Sequence, residues 1–352
     1  MKVLTIIGAR PQFIKAAVVS RAFKEHRPEV QEIIVHTGQH YDANMSDVFF
    51  DELEIPKPDY NLGIGGGSHG QNTGRMIEKL EALMMKVRPQ WVLVYGDTDS
   101  TLAGALAAAK LHIAVAHVEA GLRSFNRRMP EEINRVLTDH IAEILFAPTE
   151  TGRQNLLNEG IPEEKIKLVG DVMYDASLFY KGKARKPALP HELNIKDGDF
   201  VLCTIHRAEN TDDPQRLSGI FQGLGDSGET IALPMHPRTR GKIADYNIAI
   251  PDNVWVIHPV GYLEMVWLES NCRLVATDSG GVQKEAYFFG KPCVTMRDET
   301  EWIELVEAGW NTLSGTDSKE ISTALLAHTA PQSNPFYGDG AIAQKIVARM
   351  FG

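Results

Sequence analysis

The chain has 352 residues, 43% of them hydrophobic, and carries 36 Lys and Arg against 46 Asp and Glu for a formal net charge of -10. That length exceeds one ordinary core and predicts two domains, while the acidic balance without a basic run argues against nucleic acid or an anionic membrane as the main partner. No stretch reaches the ~18 consecutive apolar residues of a spanning helix, MKVLTIIGARP breaks at Gly8 and Pro11 instead of continuing as a secretory signal, and Cys203, Cys272 and Cys293 show neither a zinc nor a disulfide pattern, so the expectation is a cytoplasmic protein with reduced core thiols.

In chain order, the strand KVLTIIG leads into a helix over 11–26, then come strand EIIVHTG, a helix over 70–87, strand WVLVYGD, a helix over 100–111, and strands HIAVAHVEA and ILFAPTE. This alternation predicts a doubly wound parallel sheet of the α/β class. After KLVGDVMYD, the basic, Pro-bearing KGKARKPALP reads as a linker. A second series follows: DFVLCTIHR, a helix over 214–224, TIALPMHP, NVWVIHPV, a helix over 262–270, CRLVATDSGG, a helix over 282–289, and KPCVTMRD. The expected domains are therefore 1–180 and 181–335, two Rossmann-like halves with a ligand cleft between them. A last helix over 340–351 follows NPFYGDG and can pack on either half.

The region 96–135 carries GDTDS, HVEAGLRS and RMPEEINR, which put Asp97, Glu119 and Glu131 at three separate chain ends. The first two motifs follow apolar strand-like runs, and the carboxyl ends of parallel strands are where open α/β sheets bind ligands. Three carboxylates converging there point to proton transfer. Taken singly, Asp97 and Glu131 also read as helix caps or first-turn acids, and Glu119 as the partner of Arg123.

In IIGARPQFIK, Gly8 sits at a strand-to-helix bend, with Arg10 just beyond it and Lys15 a turn inside. A helix start flanked by two cations suits a phosphate, although the GxGxxG fingerprint is missing and an ordinary turn with solvated cations fits too. In TDSGGVQKEA, Ser279, Gly280 and Gly281 end a strand and open a helix whose amides can approach a diphosphate closely. Glu285, one turn on, is a candidate ribose acceptor or an exposed helix acid. Arg297 either adds charge nearby or pairs with Glu301. His206 with Arg207, His236 and His258 each follow a strand, where a histidine can hold phosphate, donate a proton or simply cap a helix. The spacings match no metal-ligand set, nucleophile elbow or Walker loop, so no tightly bound metal is expected.

Taken together, GARPQFIK, TGQHYDANM, YGDTDST, HVEAGLRS, MPEEINR, TIHRAEN, DSGGVQKEA and VTMRDETE closely resemble the non-hydrolysing UDP-N-acetylglucosamine 2-epimerase family, essentially from end to end. The resemblance implies a GT-B fold closing over a UDP-sugar, usually a homodimer, with a C-terminal helix (336–352) crossing back to the first domain. It implies inversion at C2 by anti elimination of UDP to a 2-acetamidoglucal and re-addition on the other face. Asp97, Glu119 and Glu131 match the acid and base candidates; Arg10, Lys15, Arg135 and His206 match positions near the diphosphate or reacting centre; His236, Ser279, Gly280, Gly281, Glu285 and Arg297 fall in the nucleotide-binding half, with Glu285 on the ribose.

Familiar bacterial members carry QHREM and HRREN where this chain has QHYDANM and, at Ala208, HRAEN. Those segments touch an activating second UDP-sugar in such members. RSFNRRMPEE and RDETEWIELVEAGWN look closer to a branch acting on UDP-2,3-diacetamido-2,3-dideoxyglucuronic acid for bacterial surface polysaccharides, with Arg127 and Arg128 as candidates for the uronate carboxylate. The rival readings are a GT-B glycosyltransferase, which needs an acceptor, and a UDP-sugar sensor, which does not need the first-domain acids.

Overall fold

A computed structural model describes residues 1–39, 50, 53–189, 198–327, 329–331 and 336–351. The chain divides into two compact units, Met1–Ala176 with the C-terminal segment, and a second unit beginning at Ser177. The division falls inside the helix Val172–Lys181.

The first unit runs β1 (Lys2–Ile7), α1 (Arg10–His26), β2 (Gln31–His36), β3 (Tyr60–Asn61), α2 (His69–Val87), β4 (Trp91–Tyr95), α3 (Asp99–Lys110), β5 (Ala114–Val118), α4 (Pro130–Ile141), β6 (Ile144–Ala147), α5 (Glu150–Asn158), β7 (Ile166–Leu168) and α6 (Val172–Lys181). Its strands are parallel and ordered β3-β2-β1-β4-β5-β6-β7. The apolar runs that announced the strands explain this: Val3, Leu4, Ile6, Val92, Leu93, Val94, Ala116 and Leu145 are almost fully buried, as expected of a sheet covered on both faces.

The second unit repeats the plan with β8 (Val201–Thr204), α7 (Ala208–Thr211), α8 (Pro214–Asp226), β9 (Ile231–Pro234), α9 (Pro237–Asp245), β10 (Val254–Ile257), α10 (Tyr262–Asn271), β11 (Leu274–Thr277), α11 (Gly280–Phe288), β12 (Cys293–Thr295), α12 (Ile303–Glu307), β13 (Asn311–Leu313) and α13 (Ser318–Ala327). The strand order, β10-β9-β8-β11-β12-β13, again reverses direction beside its first strand. Both units are doubly wound and Rossmann-like, the pair that makes a GT-B fold. The switch points, where ligands bind in such sheets, lie between β1 and β4 and between β8 and β11.

Local chemistry sets the element ends. Pro11 opens α1, and the buried Gln12 accepts hydrogen bonds from Gly8 N (2.7 Å) and Ala9 N (3.0 Å) while donating to Tyr95 O (2.7 Å), which ties the β1 turn to β4. Ser68 caps α2, and Arg88 ends it in the left-handed conformation at φ 53°. The final helix, α14 (Ile342–Arg349), is shorter than the 340–351 expected because Gly340 sits at φ 82°, outside helical geometry. It packs on α1 within the first unit, burying Ile342, Ile346 and Val347, and Asp175 accepts from Ala343 N at 2.7 Å. Among the described residues no helix is long and apolar enough to cross a membrane. Cys203, Cys272 and Cys293 are buried free thiols.

The turn after β5 is tightly constrained by neighbouring backbone. Gly121 has φ 82°, and a Cβ there would lie 2.2 Å from Gly152 O and 3.0 Å from Leu156 Cγ. Gly121→Ala is therefore expected to lower the unfolding free energy by about 2–4 kcal/mol, measured by urea denaturation; an unchanged midpoint would show that this turn relaxes freely.

Candidate active site

The groups at the first switch point are held as opposite charges. Glu119, just past β5, pairs through Oε2 with Lys15 Nζ from the second turn of α1, both side chains being about nine-tenths buried. Asp97, just past β4, pairs through Oδ2 with Arg135 Nη2 of α4, and Arg135 Nη1 donates to Glu132 Oε2 at 3.0 Å. Gly96, at φ 61°, lies between these pairs: a Cβ there would be 3.2 Å from Glu119 Oε2 and 3.9 Å from Lys15 Nζ. Glu119 has φ 74°, an uncommon conformation for a residue with a side chain. Such strain costs about 1–3 kcal/mol and gathers at functional sites.

Asn134 of α4 donates to Asp97 O (3.0 Å) and Asp99 Oδ1 (3.1 Å), closing the turn from below. His69 Nδ1 lies 2.8 Å from Asp99 Oδ2, and this hydrogen bond and charge, with a smaller contribution from Glu131, raise the His69 pKa. Glu131 itself is exposed in the first turn of α4, one turn before Arg135. Arg10, the first residue of α1, is exposed.

The local alternatives meet different outcomes. Thr98, not Asp97, caps α3, and Met129 precedes α4 without a side-chain cap. Glu119 does not pair with Arg123. Arg123 instead donates to Asp139 Oδ2 (2.8 Å) and to both carboxylate oxygens of Glu159 (2.7 and 2.8 Å).

That arginine belongs to a buried cluster the sequence did not reveal. His117 on β5 is fully buried, with Nδ1 2.7 Å from Asp139 Oδ1 and Nε2 2.7 Å from Gly96 O. Both neighbours are acceptors, so a ring bearing a hydrogen on each nitrogen satisfies them together. Asp139 Oδ2 also accepts from Gly121 N at 3.1 Å. One carboxylate thus fixes the turn holding Glu119 and, through the imidazole, the turn holding Asp97. Burial opposes ionisation of Asp139, but His117 and Arg123 outweigh it and hold its pKa below the ordinary value.

In the second unit the organising group is Asp278, which is fully buried at the end of β11. It accepts from His206 N (3.1 Å), Arg207 N (3.0 Å) and Asn210 Nδ2 (3.3 Å), and His206 Nδ1 lies 3.3 Å from Oδ1. The His206 turn is thereby tied to the glycine turn that opens α11, across the second switch point. Sequence reasoning passed over Asp278, although its place directly before Ser279 marks the strand-to-helix bend.

Ser279 caps α11, accepting from Val282 N at 3.5 Å. A Cβ on Gly280 would stand 1.9 Å from Glu301 Oε1, so a side chain there would have to displace that carboxylate, whereas Gly281 is exposed at the helix start. Glu285 is half-buried in the next turn. Arg297 forms the pairing offered as its alternative, with Nη1 2.7 Å from Glu301 Oε2. His236 caps α9 by accepting from Arg238 N at 3.2 Å, its ring centroid 6.2 Å from that of His206; burial, then the neighbouring His206 and Arg238, lowers its pKa. His258 is exposed after β10. Arg127 and Arg128 are exposed before α4, and Ala208 begins α7. Of the QHYDANM segment only Gln39 lies among the described residues; the rest lies outside them.

Because its pKa is depressed, Asp139 contributes stability that is present above its unfolded value of about 4 and is lost as the pH falls through the folded one. Asp139→Asn is expected to cost about 3 kcal/mol at neutral pH and to flatten the acid limb of the melting temperature. A variant whose stability falls with acid as steeply as the wild type would contradict this assignment.

The model of the UDP-N-acetylglucosamine 2-epimerase family matches residues 22–350. The UDP-2,3-diacetamido-2,3-dideoxy-D-glucuronate 2-epimerase of Pseudomonas aeruginosa is 56% identical over 354 residues, covering 98% of each chain. The UDP-N-acetylglucosamine 2-epimerase of Methanocaldococcus jannaschii is 46% identical over 362 residues, covering 99% of this chain and 98% of its own. A crystal structure of the Methanocaldococcus jannaschii UDP-GlcNAc 2-epimerase, in complex with UDP-GlcNAc and UDP, superposes with a TM-score of 0.85 over 100% of both chains. With two doubly wound sheets and a match along nearly the whole sequence, the chain belongs to the UDP-N-acetylglucosamine 2-epimerase family and is an isomerase.

Proposed function

We propose that this enzyme inverts C2 of UDP-2,3-diacetamido-2,3-dideoxyglucuronic acid to the manno epimer, by elimination and re-addition of UDP. The observation that carries the chemistry is the cation-paired acid cluster at the first switch point, Glu119 with Lys15 and Asp97 with Arg135. Support for the substrate comes from the 56% identity to the Pseudomonas aeruginosa diacetamidoglucuronate 2-epimerase, against 46% for the Methanocaldococcus jannaschii UDP-N-acetylglucosamine enzyme. Exposed Arg127 and Arg128 supply cations suited to a uronate.

The C2 hydrogen is not activated by an adjacent carbonyl, so departure of the diphosphate must drive its loss. A carboxylate takes the C2 proton as the C1–O bond breaks, leaving a 2-acetamidoglucal and UDP. UDP then re-forms the C1–O bond, and a proton returns to C2 on the opposite face. Asp97, Glu119 and Glu131 remove or return that proton or orient a sugar hydroxyl. Arg10, Lys15, Arg135 and His206 stabilise the charge that collects on the departing UDP. Ser279, Gly280, Gly281 and Glu285 hold the nucleotide, with Glu285 on the ribose, and His236 and Arg297 complete that side. The turnover is redox-neutral and requires no cofactor.

We place the enzyme in the cytoplasm as a homodimer whose product feeds surface polysaccharide, including lipopolysaccharide O-antigen. The dimer reading is supported by an apolar stripe at the start and along one face of α4, where Met129, Ile133 and Leu137 are 37%, 47% and 47% exposed. Ile133→Asp with Leu137→Asp is expected to halve the mass in sedimentation equilibrium; an unchanged mass would move the interface elsewhere.

The function itself is tested by NMR in deuterated water with each UDP-sugar. Deuterium at C2 and a gluco/manno mixture are expected, with faster turnover of the diacetamidoglucuronate and no consumption by a sugar acceptor. Absence of label at C2 with both substrates would end the epimerase reading. Asp97→Asn and Glu131→Gln should each lower turnover by about 10²-fold or more while UDP affinity stays within a few-fold; loss of folding instead would mark these acids as structural.

A further inference from the structure

Glu132, in the first turn of α4, is 2% exposed. Its Oε2 accepts from Ser124 N and Ser124 Oγ, both at 2.9 Å, and from Arg135 Nη1 at 3.0 Å, while its Oε1 accepts from Phe125 N at 3.0 Å. Burial opposes its ionisation, but the Ser124 N–H and hydroxyl, Arg135 and the Phe125 N–H outweigh it and hold its pKa below the ordinary value. One buried carboxylate thus joins a turn seven and eight residues upstream to a guanidinium one helical turn downstream.

Helix capping does not explain these contacts. A glutamate three residues into a helix ordinarily reaches back to the N–H just before it, but Met129 N donates to Asn126 O at 3.0 Å and α4 has no side-chain cap. Nor does the turn need a charge, since Ser124 and Phe125 are exposed residues whose amides water can serve, and taking a carboxylate from water is costly. What the carboxylate adds is a fixed point for Arg135. That side chain is 14% exposed, and its guanidinium meets Glu132 at Nη1 and Asp97 at Nη2, while Nε is buried with no hydrogen-bond partner among the described residues. Held at one nitrogen a guanidinium swings about the contact; held at two, its plane is set.

We propose that Glu132 is a positioning residue for the reacting centre: anchored by the Ser124–Phe125 turn, it holds Arg135 Nη1 so that Nη2 stays on Asp97. This rests on the reading of Asp97 and Arg135 as parts of that centre, so the test separates the two. C2 hydrogen exchange, kcat and KM are measured on the full-length enzyme for Glu132→Met, Glu132→Gln, Ser124→Ala and Arg135→Met, with the UDP affinity and melting temperature of each variant.

Glu132→Met should slow kcat and exchange by about 10²-fold, the scale of a misplaced catalytic group, with KM and UDP affinity within about threefold. Glu132→Gln, whose amide oxygen can take the place of Oε2 between Ser124 and Arg135, should recover to within about tenfold of the wild type. Ser124→Ala leaves both amides on Glu132 and removes one hydrogen bond from the turn, so its melting temperature should fall by about 2–4 °C with kcat within about threefold. Wild-type kcat in Glu132→Met, beside a slow Arg135→Met, overturns the inference and leaves the reading of Arg135 standing. Equal loss in Glu132→Met and Glu132→Gln overturns it as well, because the charge and not the aim would then matter. So does a kcat that falls in step with the melting temperature across Ser124→Ala and Glu132→Met, since Glu132 would then only hold the fold. Wild-type kcat in Arg135→Met overturns both. Glu132→Asp, whose carboxylate stops one methylene short, replaces the Met variant if that one does not fold.

Discussion

Loops leaving parallel strands are free to splay unless something ties them, and here the tie is ionic and buried. Asp139 accepts from His117 Nδ1, Arg123 Nη1 and Gly121 N at 2.7, 2.8 and 3.1 Å, while the same imidazole reaches Gly96 O at 2.7 Å. Taking these charges from water costs several kcal/mol per ion, so the cluster is a poor device for stability alone. What it gives is a fixed spacing between the turn carrying Asp97 and the turn carrying Glu119. Gly96 and Gly121, both at positive φ, let the backbone come close enough for it to form.

The two units reach comparable arrangements by different chemistry. In the first, cations meet the acids directly, Lys15 on Glu119 and Arg135 on Asp97. In the second, the buried Asp278 gathers backbone amides of the His206 turn, and the helix start at Ser279 and Gly280 leaves Gly281 exposed. A group that moves protons needs side chains of fixed charge and position; one that holds a diphosphate needs amides and space. Under the proposed function the first unit meets the former requirement and the second the latter, each at the point where its strand order reverses.

The sequence disclosed most of the strands because their signals are local, while the short β3, β7 and β13 went unread. Apolar runs such as WVLVY end in GDTDS, and glycines mark bends. The partners were not local. Arg123 passes over Glu119, only four positions away, for Asp139 and Glu159, which lie 16 and 36 residues on. Helices α4, α5, α6, α7, α9, α12 and α13 also went unread, α4 for a related reason. In PEEINRVLTDHI the exposed Ile133 and Leu137 share a turn pattern with buried Glu132, Asn134 and Asp139, so the usual inside-outside contrast is inverted. Polar residues buried for a site mimic a loop when only periodicity is read.

The claim that the buried cluster sets the geometry of the acids is tested most directly by the rate of C2 hydrogen exchange in His117→Gln. A glutamine amide can serve Gly96 O or Asp139 but cannot span both as the imidazole does. The expected result is exchange slowed by about 10²-fold, the scale of a misplaced catalytic group, in a folded protein that binds UDP as the wild type does. Wild-type exchange in that folded variant would show that the acids keep their places without the cluster.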